Sequence, residues 1–105
     1  MARAKRGEIW QIDRGLVQKT RPCLVLSVEF LDHERAVVLY LPRTTHLRQT
    51  RFEVAHQARG FDSGAFDVQG IGSLPEVKLV RRVGLVESAV LQQVGSALKL
   101  WLNLP

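Results

Sequence analysis

The chain has 105 residues, of which 46% are hydrophobic and 24% are charged, values typical of a soluble globular domain and not of a disordered chain. This length suits one hydrophobic core, so we predict a single domain over residues 1–105. Fifteen Lys and Arg against ten Asp and Glu give a net charge of +5, which either attracts polyanions and acidic protein segments or only keeps the surface hydrated.

Nothing in the sequence indicates a membrane protein. The longest apolar runs, at 23–28 and 36–41, are far shorter than the roughly 18 residues that a bilayer requires. The first seven residues are basic with no apolar stretch behind them, unlike a signal peptide. We therefore expect a cytoplasmic protein. Cys23 is the single cysteine, so it cannot form an internal disulfide, and its apolar context favours a small core residue.

The first half of the chain has the pattern of three strands. Residues 8–13 alternate between polar and apolar, which indicates a half-buried strand. Pro22 favours an extended conformation at Arg21, which predicts Arg21 at the mouth of a second strand. The β-branched and leucine-rich runs at 23–28 and 36–41 predict two central strands, joined by a charged turn.

Pro42 is predicted to end the third strand. Residues 43–50 are polar and basic, and we expect them to form a loop that leads into a short strand at 51–54. The glycines between 59 and 72 favour tight turns, and one more strand is predicted at 77–83.

The C-terminal segment has the only clear helical pattern. Apolar residues recur at i, i+3, i+4 and i+7 from about residue 87 to residue 102, and we expect this helix to lie across a sheet. Many short strands, glycine-rich turns and one terminal helix predict a mainly β protein, a small β-barrel with a C-terminal helix.

Four segments, in this order, resemble the MazF/PemK family of toxin ribonucleases. They are RGEIW at 6–10, TRPCLVLS at 20–27, LPRTT at 41–45 and FEV at 52–54. Gln69 and Gly84 also fall at the spacing of a Gln and a Gly in the C-terminal half of that family. The resemblance extends over nearly the whole chain, from about Gly7 to Leu102.

The resemblance implies an SH3-like or plasmid-maintenance-toxin barrel, a homodimer, and cleavage of single-stranded RNA at a short sequence motif. It also implies a cognate antitoxin whose acidic segment occludes the RNA groove. Arg21 and Thr44 match the catalytic Arg and Thr of the family. Two departures concern activity: the 14–20 loop has no carboxylate, and Val68 stands where an Asp is common.

Arg21 and Thr44 suit one requirement of RNA cleavage without a metal, which is stabilisation of the charge that develops on the phosphate. The ribose 2′-OH attacks its own phosphate, and the extra negative charge must be stabilised. Arg21 offers a rigid fork of donors that stays charged, and Thr44 adds a hydroxyl donor. The alternative is a purely structural role for both residues. Arg21 would then form an ion pair at the end of a strand, and Thr44 would form hydrogen bonds within a turn. Arg21 is a poor general base, and His46 is the nearest titrating side chain.

The loops around Arg21 and Thr44 carry the candidate RNA contacts, since phosphate contacts position the strand and stacked bases give selectivity. These candidates are Arg14, Lys19, Arg43, Thr45, His46 and Arg48. His33 and His56 are expected at the surface, and Trp10 and Trp101 in the core or a dimer interface.

Other functions have less support in the sequence. No zinc-ligand spacing, nucleotide-binding glycine loop or nucleophile elbow is present, and we expect no cofactor or metal. One alternative is a protein-targeting toxin of the CcdB gyrase-inhibitor type, but those proteins end in Trp-Gly-Ile whereas this chain ends WLNLP. The other is a catalytically silent RNA-binding or protein-binding barrel.

Overall fold

The computed structural model describes residues 3–13 and 21–105. Within them the chain forms seven strands and one α-helix. The strands are β1 Glu8–Ile12, β2 Arg21–Val25, β3 Val37–Thr44, β4 Glu53–His56, β5 Gly64–Asp67, β6 Gly72–Pro75 and β7 Leu79–Leu85. The helix α1 is Ser88–Leu102, and single 3₁₀ turns lie at Val68–Gly70 and Glu76–Lys78.

All strand pairs are antiparallel, in the order β4-β5-β3-β2-β1-β7, with β6 on β3. The eight-residue β3 joins the two parts of the sheet, because its earlier residues pair with β6 and β2 and its last two pair with β5. The mainly β class with a C-terminal helix is confirmed. The sheet of the described strands is not closed by hydrogen bonds, since no ladder joins the end strands β4 and β7. Instead, α1 packs against β4 and the first 3₁₀ turn.

β3 is longer than the sequence pattern predicts. Pro42 does not end it, and the strand continues to Thr44. Pro42 stands opposite Cys23 in the last residue pair of the β2–β3 ladder, and beyond that point β3 pairs with β5, which lies on the other side of β3 from β2. A proline lacks only the N–H donor, so it is tolerated where one ladder gives way to another. Arg43 and Thr44 are therefore strand residues and not loop residues.

Both faces of the sheet are covered, which explains the unbroken apolar run of β2. One face carries the main core cluster, which includes Ile9, Leu24 and Phe66. The other face carries a smaller cluster centred on Val25 and Val38. Cys23 is fully buried, as predicted, and burial raises the pKa of its thiol to about 12.

The helix confirms the predicted amphipathic pattern. Val94 and Ala97 are buried in the main core cluster, and the chain leaves the helix through Asn103 in the left-handed conformation. Leu100, Trp101 and Leu102 remain substantially exposed at its C-terminal end. No helix in the described part of the chain is long and apolar enough to cross a membrane.

Candidate functional site

One end of the sheet brings the two predicted catalytic residues together. Arg21 is the first residue of β2 and Thr44 is the last residue of β3. The strands are antiparallel and their last residue pair is Cys23 with Pro42, so the start of β2 and the end of β3 lie at the same end of the sheet. Arg21 is exposed and Thr44 is half-buried, so an extended ligand passing this end of the sheet can reach both.

The Thr44 hydroxyl is held by the backbone that follows it. Its Oγ1 accepts a hydrogen bond from the backbone N–H of His46 at 3.0 Å. The hydroxyl proton has only a long contact of 3.4 Å, to the His46 carbonyl oxygen. The oxygen is thus fixed in place while its proton can turn toward an outside acceptor.

The loop after β3 is exposed and carries three of the predicted RNA contacts, Thr45, His46 and Arg48. The Glu53 carboxylate accepts the backbone N–H of Arg48 at 2.9 Å and that of Gln49 at 2.7 Å. Gln49 adopts a left-handed conformation, with φ of 57°. Glu53 therefore stabilises the conformation of this loop. This is a structural role for one residue of the FEV segment at 52–54.

Arg43 differs from the sequence-based expectation. Its side chain is only 5% exposed, because strand alternation turns it to the same face as the core residue Leu41. Its Nε donates to Nδ1 of His56 at 2.8 Å, and its Nη2 donates to the carbonyl oxygens of His56 at 2.9 Å and Asp62 at 2.5 Å. The prediction of Arg43 as a solvent-facing RNA contact is therefore not supported, since its donors are engaged inside the protein.

His56 was expected at the surface, and this expectation is wrong. Its side chain is 4% exposed and stacks at 4.8 Å from the Phe66 ring centroid. Burial lowers the pKa of His56, the Arg43 guanidinium lowers it further, and Glu87 opposes both effects. His56 is therefore neutral, as its Nδ1 must be to accept the Arg43 hydrogen bond. His33 is exposed, as predicted.

The buried Arg43–His56 pair supports the loop between β4 and β5. The Arg43 guanidinium carbon lies 5.0 Å from the Phe61 ring centroid, and the His56 ring meets Phe61 edge-on at 5.4 Å. At Gly64, an added Cβ would come within 2.6 Å of the Thr44 carbonyl oxygen and 2.7 Å of Arg43 Nη1. Only glycine fits there, and no local sequence signal indicates this contact.

The N-terminal motif is structural. Gly7 has φ of +93°, and its N–H donates to the carbonyl of Val25 at 2.8 Å. The Glu8 carboxylate, 7% exposed, accepts from the Trp10 indole N–H at 3.0 Å and from Arg82 Nη1 at 3.3 Å. These bonds tie the start of the chain to the two neighbours of β1 and leave Glu8 no part in chemistry.

Arg14 and Lys19, the other predicted RNA contacts, lie outside the described residues. Among the described residues, no group of three His, Cys, Asp or Glu side chains could hold a metal ion.

Two of the grooves on the described surface bear on the location of the site. One, of about 590 Å³, adjoins the strand ends and is lined by Pro22, Gln11 and Phe61 among others. The other, of about 660 Å³, lies between β4 and α1 and contains none of the predicted site residues. The groove next to Pro22 could not be predicted from the sequence, because it forms only when β1, β2 and β7 pair in this register.

The fold and site define a small, mainly β protein with an arginine and a threonine at one end of its sheet, bordered by a cationic loop. A family model of PemK-like, MazF-like toxins of type II toxin–antitoxin systems matches residues 5–102. The chain belongs to this family.

Solved structures agree in fold. A mycobacterial endoribonuclease in complex with its cognate antitoxin is 25% identical, with a TM-score of 0.83 and 97% of each chain covered. A mycobacterial endoribonuclease structure is 25% identical, with a TM-score of 0.82, and the match covers 100% of this chain and 96% of the other. A MazE–MazF structure from Deinococcus radiodurans is 21% identical with a TM-score of 0.86, and both chains are covered completely.

Proposed function

We propose that this protein is a sequence-specific endoribonuclease toxin that cleaves single-stranded RNA, including mRNA, without a metal ion. The observation that carries the proposal is that Arg21 begins β2 and Thr44 ends β3, two antiparallel neighbours, so both residues lie at the same end of the sheet. The likeness to mycobacterial endoribonucleases at 25% identity over almost the whole chain supports it. An RNA substrate of this kind is found in the cytoplasm.

In the proposed reaction, the ribose 2′-OH loses its proton and attacks the adjacent phosphorus, and the bond to the 5′-oxygen breaks. The products are a 2′,3′-cyclic phosphate and, once the 5′-oxygen has taken up a proton, a 5′-hydroxyl. Arg21 stabilises the phosphorane through two parallel N–H donors, and Thr44 adds one hydroxyl donor. The Thr44 hydroxyl oxygen is positioned before the substrate binds, because the His46 backbone N–H holds it, and the Arg21 backbone is fixed as the first residue of β2. Such preorganisation favours the transition state over the bound substrate.

The reaction also needs an acceptor for the 2′-OH proton. Arg21 does not suit this role, because its guanidinium remains protonated at ordinary pH. His46 is the side chain to test, since its own backbone N–H binds the Thr44 hydroxyl oxygen. Its exposure keeps it accessible to a bound strand.

RNA positioning falls to the exposed loop after β3. Thr45, His46 and Arg48 border the Thr44 hydroxyl, and the Glu53 carboxylate holds the loop backbone in one shape. Arg14 and Lys19, which lie outside the described residues, complete the proposed set. The same cationic surface suits the acidic segment of a cognate antitoxin, which would compete with RNA for it.

The test is incubation of the pure protein with a long, unstructured RNA in excess EDTA, with Arg21→Ala as the matched control. We expect cleavage at one short motif by the parent protein and almost none by the variant. Intact RNA with retained RNA binding would indicate a silent binding protein. Intact RNA without binding, together with inhibition of a gyrase, would indicate a CcdB-like toxin.

A further inference from the structure

The groove of about 590 Å³ beside the strand ends has the features of a ligand site that the cleavage chemistry does not use. Two of its lining residues, Pro22 and Phe61, have apolar ring side chains. Gly84 borders the Phe61 ring, where an added Cβ would already be in contact at 3.4 Å. The glycine therefore keeps open a space next to an aromatic ring.

Gln11 is one of the residues that line this groove. It pairs with Pro22 on β2 and with Arg81 on β7, so the three side chains form one row across the sheet. Its Oε1 atom is buried and has no hydrogen-bond donor among the described residues. A buried acceptor without a donor is costly, so a ligand N–H placed there would be bound preferentially.

Two cations border the same groove. Arg59 and Arg81 are exposed, and neither has a carboxylate partner among the described residues. Arg82 also lines the groove, but its guanidinium is engaged by Glu8. Arg59 and Arg81 are thus available for an anionic ligand, and guanidinium groups suit phosphate oxygens.

We propose that this groove is a nucleotide subsite that holds one base of the RNA next to the cleaved bond. The Gln11 oxygen accepts an N–H group of the base, Pro22 and Phe61 pack against it, and Arg59 and Arg81 hold neighbouring phosphates. This inference rests on the proposed ribonuclease function. It attributes the preference for one base of the cut motif to this groove. An acidic peptide is the alternative occupant, and the binding experiment below separates it from a nucleotide.

The position of the groove relative to Arg21 agrees with such a role. Pro22 follows Arg21 directly, and strand alternation turns their side chains to opposite faces of the sheet. A strand of RNA that crosses the sheet end therefore contacts Arg21 through a phosphate and can place an adjoining base beside Pro22. The Arg43 contacts to Phe61 and Asp62 keep the far wall of the groove in place.

The first test is to map cleavage sites in a random RNA pool for the parent and for Gln11→Met, which keeps the side-chain length but lacks the acceptor. We expect the preference at one position of the cut motif to fall by roughly threefold to tenfold, the scale of one lost hydrogen bond, while the other positions keep theirs. Gln93→Met on the exposed face of α1 is the matched control and should leave the motif unchanged. An unchanged motif in Gln11→Met overturns the inference.

The second test needs no cleavage. Fluorescence anisotropy measures binding of labelled octamers of deoxyuridine, deoxyadenosine and deoxycytidine, which lack the attacking 2′-OH. We expect the parent to prefer one base several-fold and Gln11→Met to bind the three within about twofold of one another. Arg59→Ala and Arg81→Ala should each weaken the binding of all three octamers to the same extent. Each should also reduce the slope of log affinity against log salt concentration by about one. Arg35→Ala should change neither the affinities nor this slope.

The outcomes separate the two proposals. If the parent cuts RNA but Gln11→Met keeps both the motif and the base preference, the inference is wrong and the ribonuclease function stands. If the parent does not cut RNA, the proposed function is wrong, and the octamer experiment decides whether the groove binds nucleotides. Gln11-dependent binding of polyglutamate without binding of the octamers would make it a peptide site and overturn the inference.

Discussion

At the scale of single residues, the proposed mechanism depends on Arg21. Arg21→Ala should reduce the cleavage rate by about a hundredfold or more, the usual effect of losing one donor to a developing oxyanion. Arg21→Lys keeps the charge but loses the two-pronged grip and should recover only part of the rate. Thr44→Ala should act in the same direction, with the double variant barely slower than Arg21→Ala, because both donors act on one phosphate. Single-turnover kinetics on a short RNA measure these rates, and full additivity of the two losses would contradict a shared phosphate.

The buried Arg43–His56 contact makes stability depend on pH. The pKa of His56 is lowered in the folded protein from its ordinary value of 6.5, mainly by burial and then by Arg43. The unfolded chain therefore binds this proton more readily, so the free energy of unfolding should fall as the pH drops below about 6.5. Urea unfolding at a series of pH values measures the trend, and His56→Gln should remove most of it.

The exposed His33 provides the matched control, and His33→Gln should leave the pH trend of the parent in place. Asp62 and Glu87 are the carboxylates that influence this pair. An unfolding free energy that rises on acidification through this range would show that the Arg43–His56 contact is not maintained in solution.

At the scale of elements, local patterns predicted the parts that depend on local physics. Alternation identified β1, the apolar runs identified β2 and β3, and helical spacing identified α1 almost to the residue. β5 and β6 were not recognised as strands, because their glycines have the composition of turns. Their pairing to β3 is set by residues far away in the sequence.

The candidate site divides in the same way. Pro22 predicted Arg21 at the start of β2, whereas Thr44 was expected in a loop, and the candidate roles of both residues came from the family resemblance. The burial of Arg43 could not be predicted. A strand that ended at Pro42 would leave Arg43 in a loop, outside the strand alternation that turns its side chain inward. His56 and Gln11 depend on partners from other strands, so their roles appear only once the register is known.

Gly64 provides a test of the β3–β5 junction that supports Thr44. Gly64→Ala would drive a methyl group into the Thr44 carbonyl and the Arg43 guanidinium and should cost about 1–3 kcal/mol of unfolding free energy. Gly95→Ala in α1 is the control, because nothing lies within 4 Å of its added Cβ, and it should gain roughly 0.5–1 kcal/mol. Thermal or urea unfolding measures both, and equal effects of the two changes would mean that the junction at Gly64 is not tightly packed.

At the scale of the whole molecule, exposed apolar side chains on β7 and α1 lead us to expect a homodimer. The Leu85 side chain is 64% exposed and the Leu102 side chain is 50% exposed. Burying such apolar side chains between two copies of the chain would remove them from water, which favours a dimer. Light scattering at micromolar concentration should give twice the chain mass. Leu85→Glu should shift the population toward monomer, whereas Val28→Glu, at a more exposed position in the β2–β3 connection, should not. A monomeric parent would contradict this expectation.

The central claim is that Arg21 and Thr44 promote attack by the ribose 2′-OH and not by water. Mass spectrometry of the new RNA ends, produced by the parent protein in excess EDTA, tests it most directly. The account predicts a 2′,3′-cyclic phosphate on one fragment and a 5′-hydroxyl on the other, with both absent when the single nucleotide at the cut carries a 2′-deoxyribose. Fragments that end in a 3′-hydroxyl and a 5′-phosphate, or cleavage that requires a divalent metal, would contradict it.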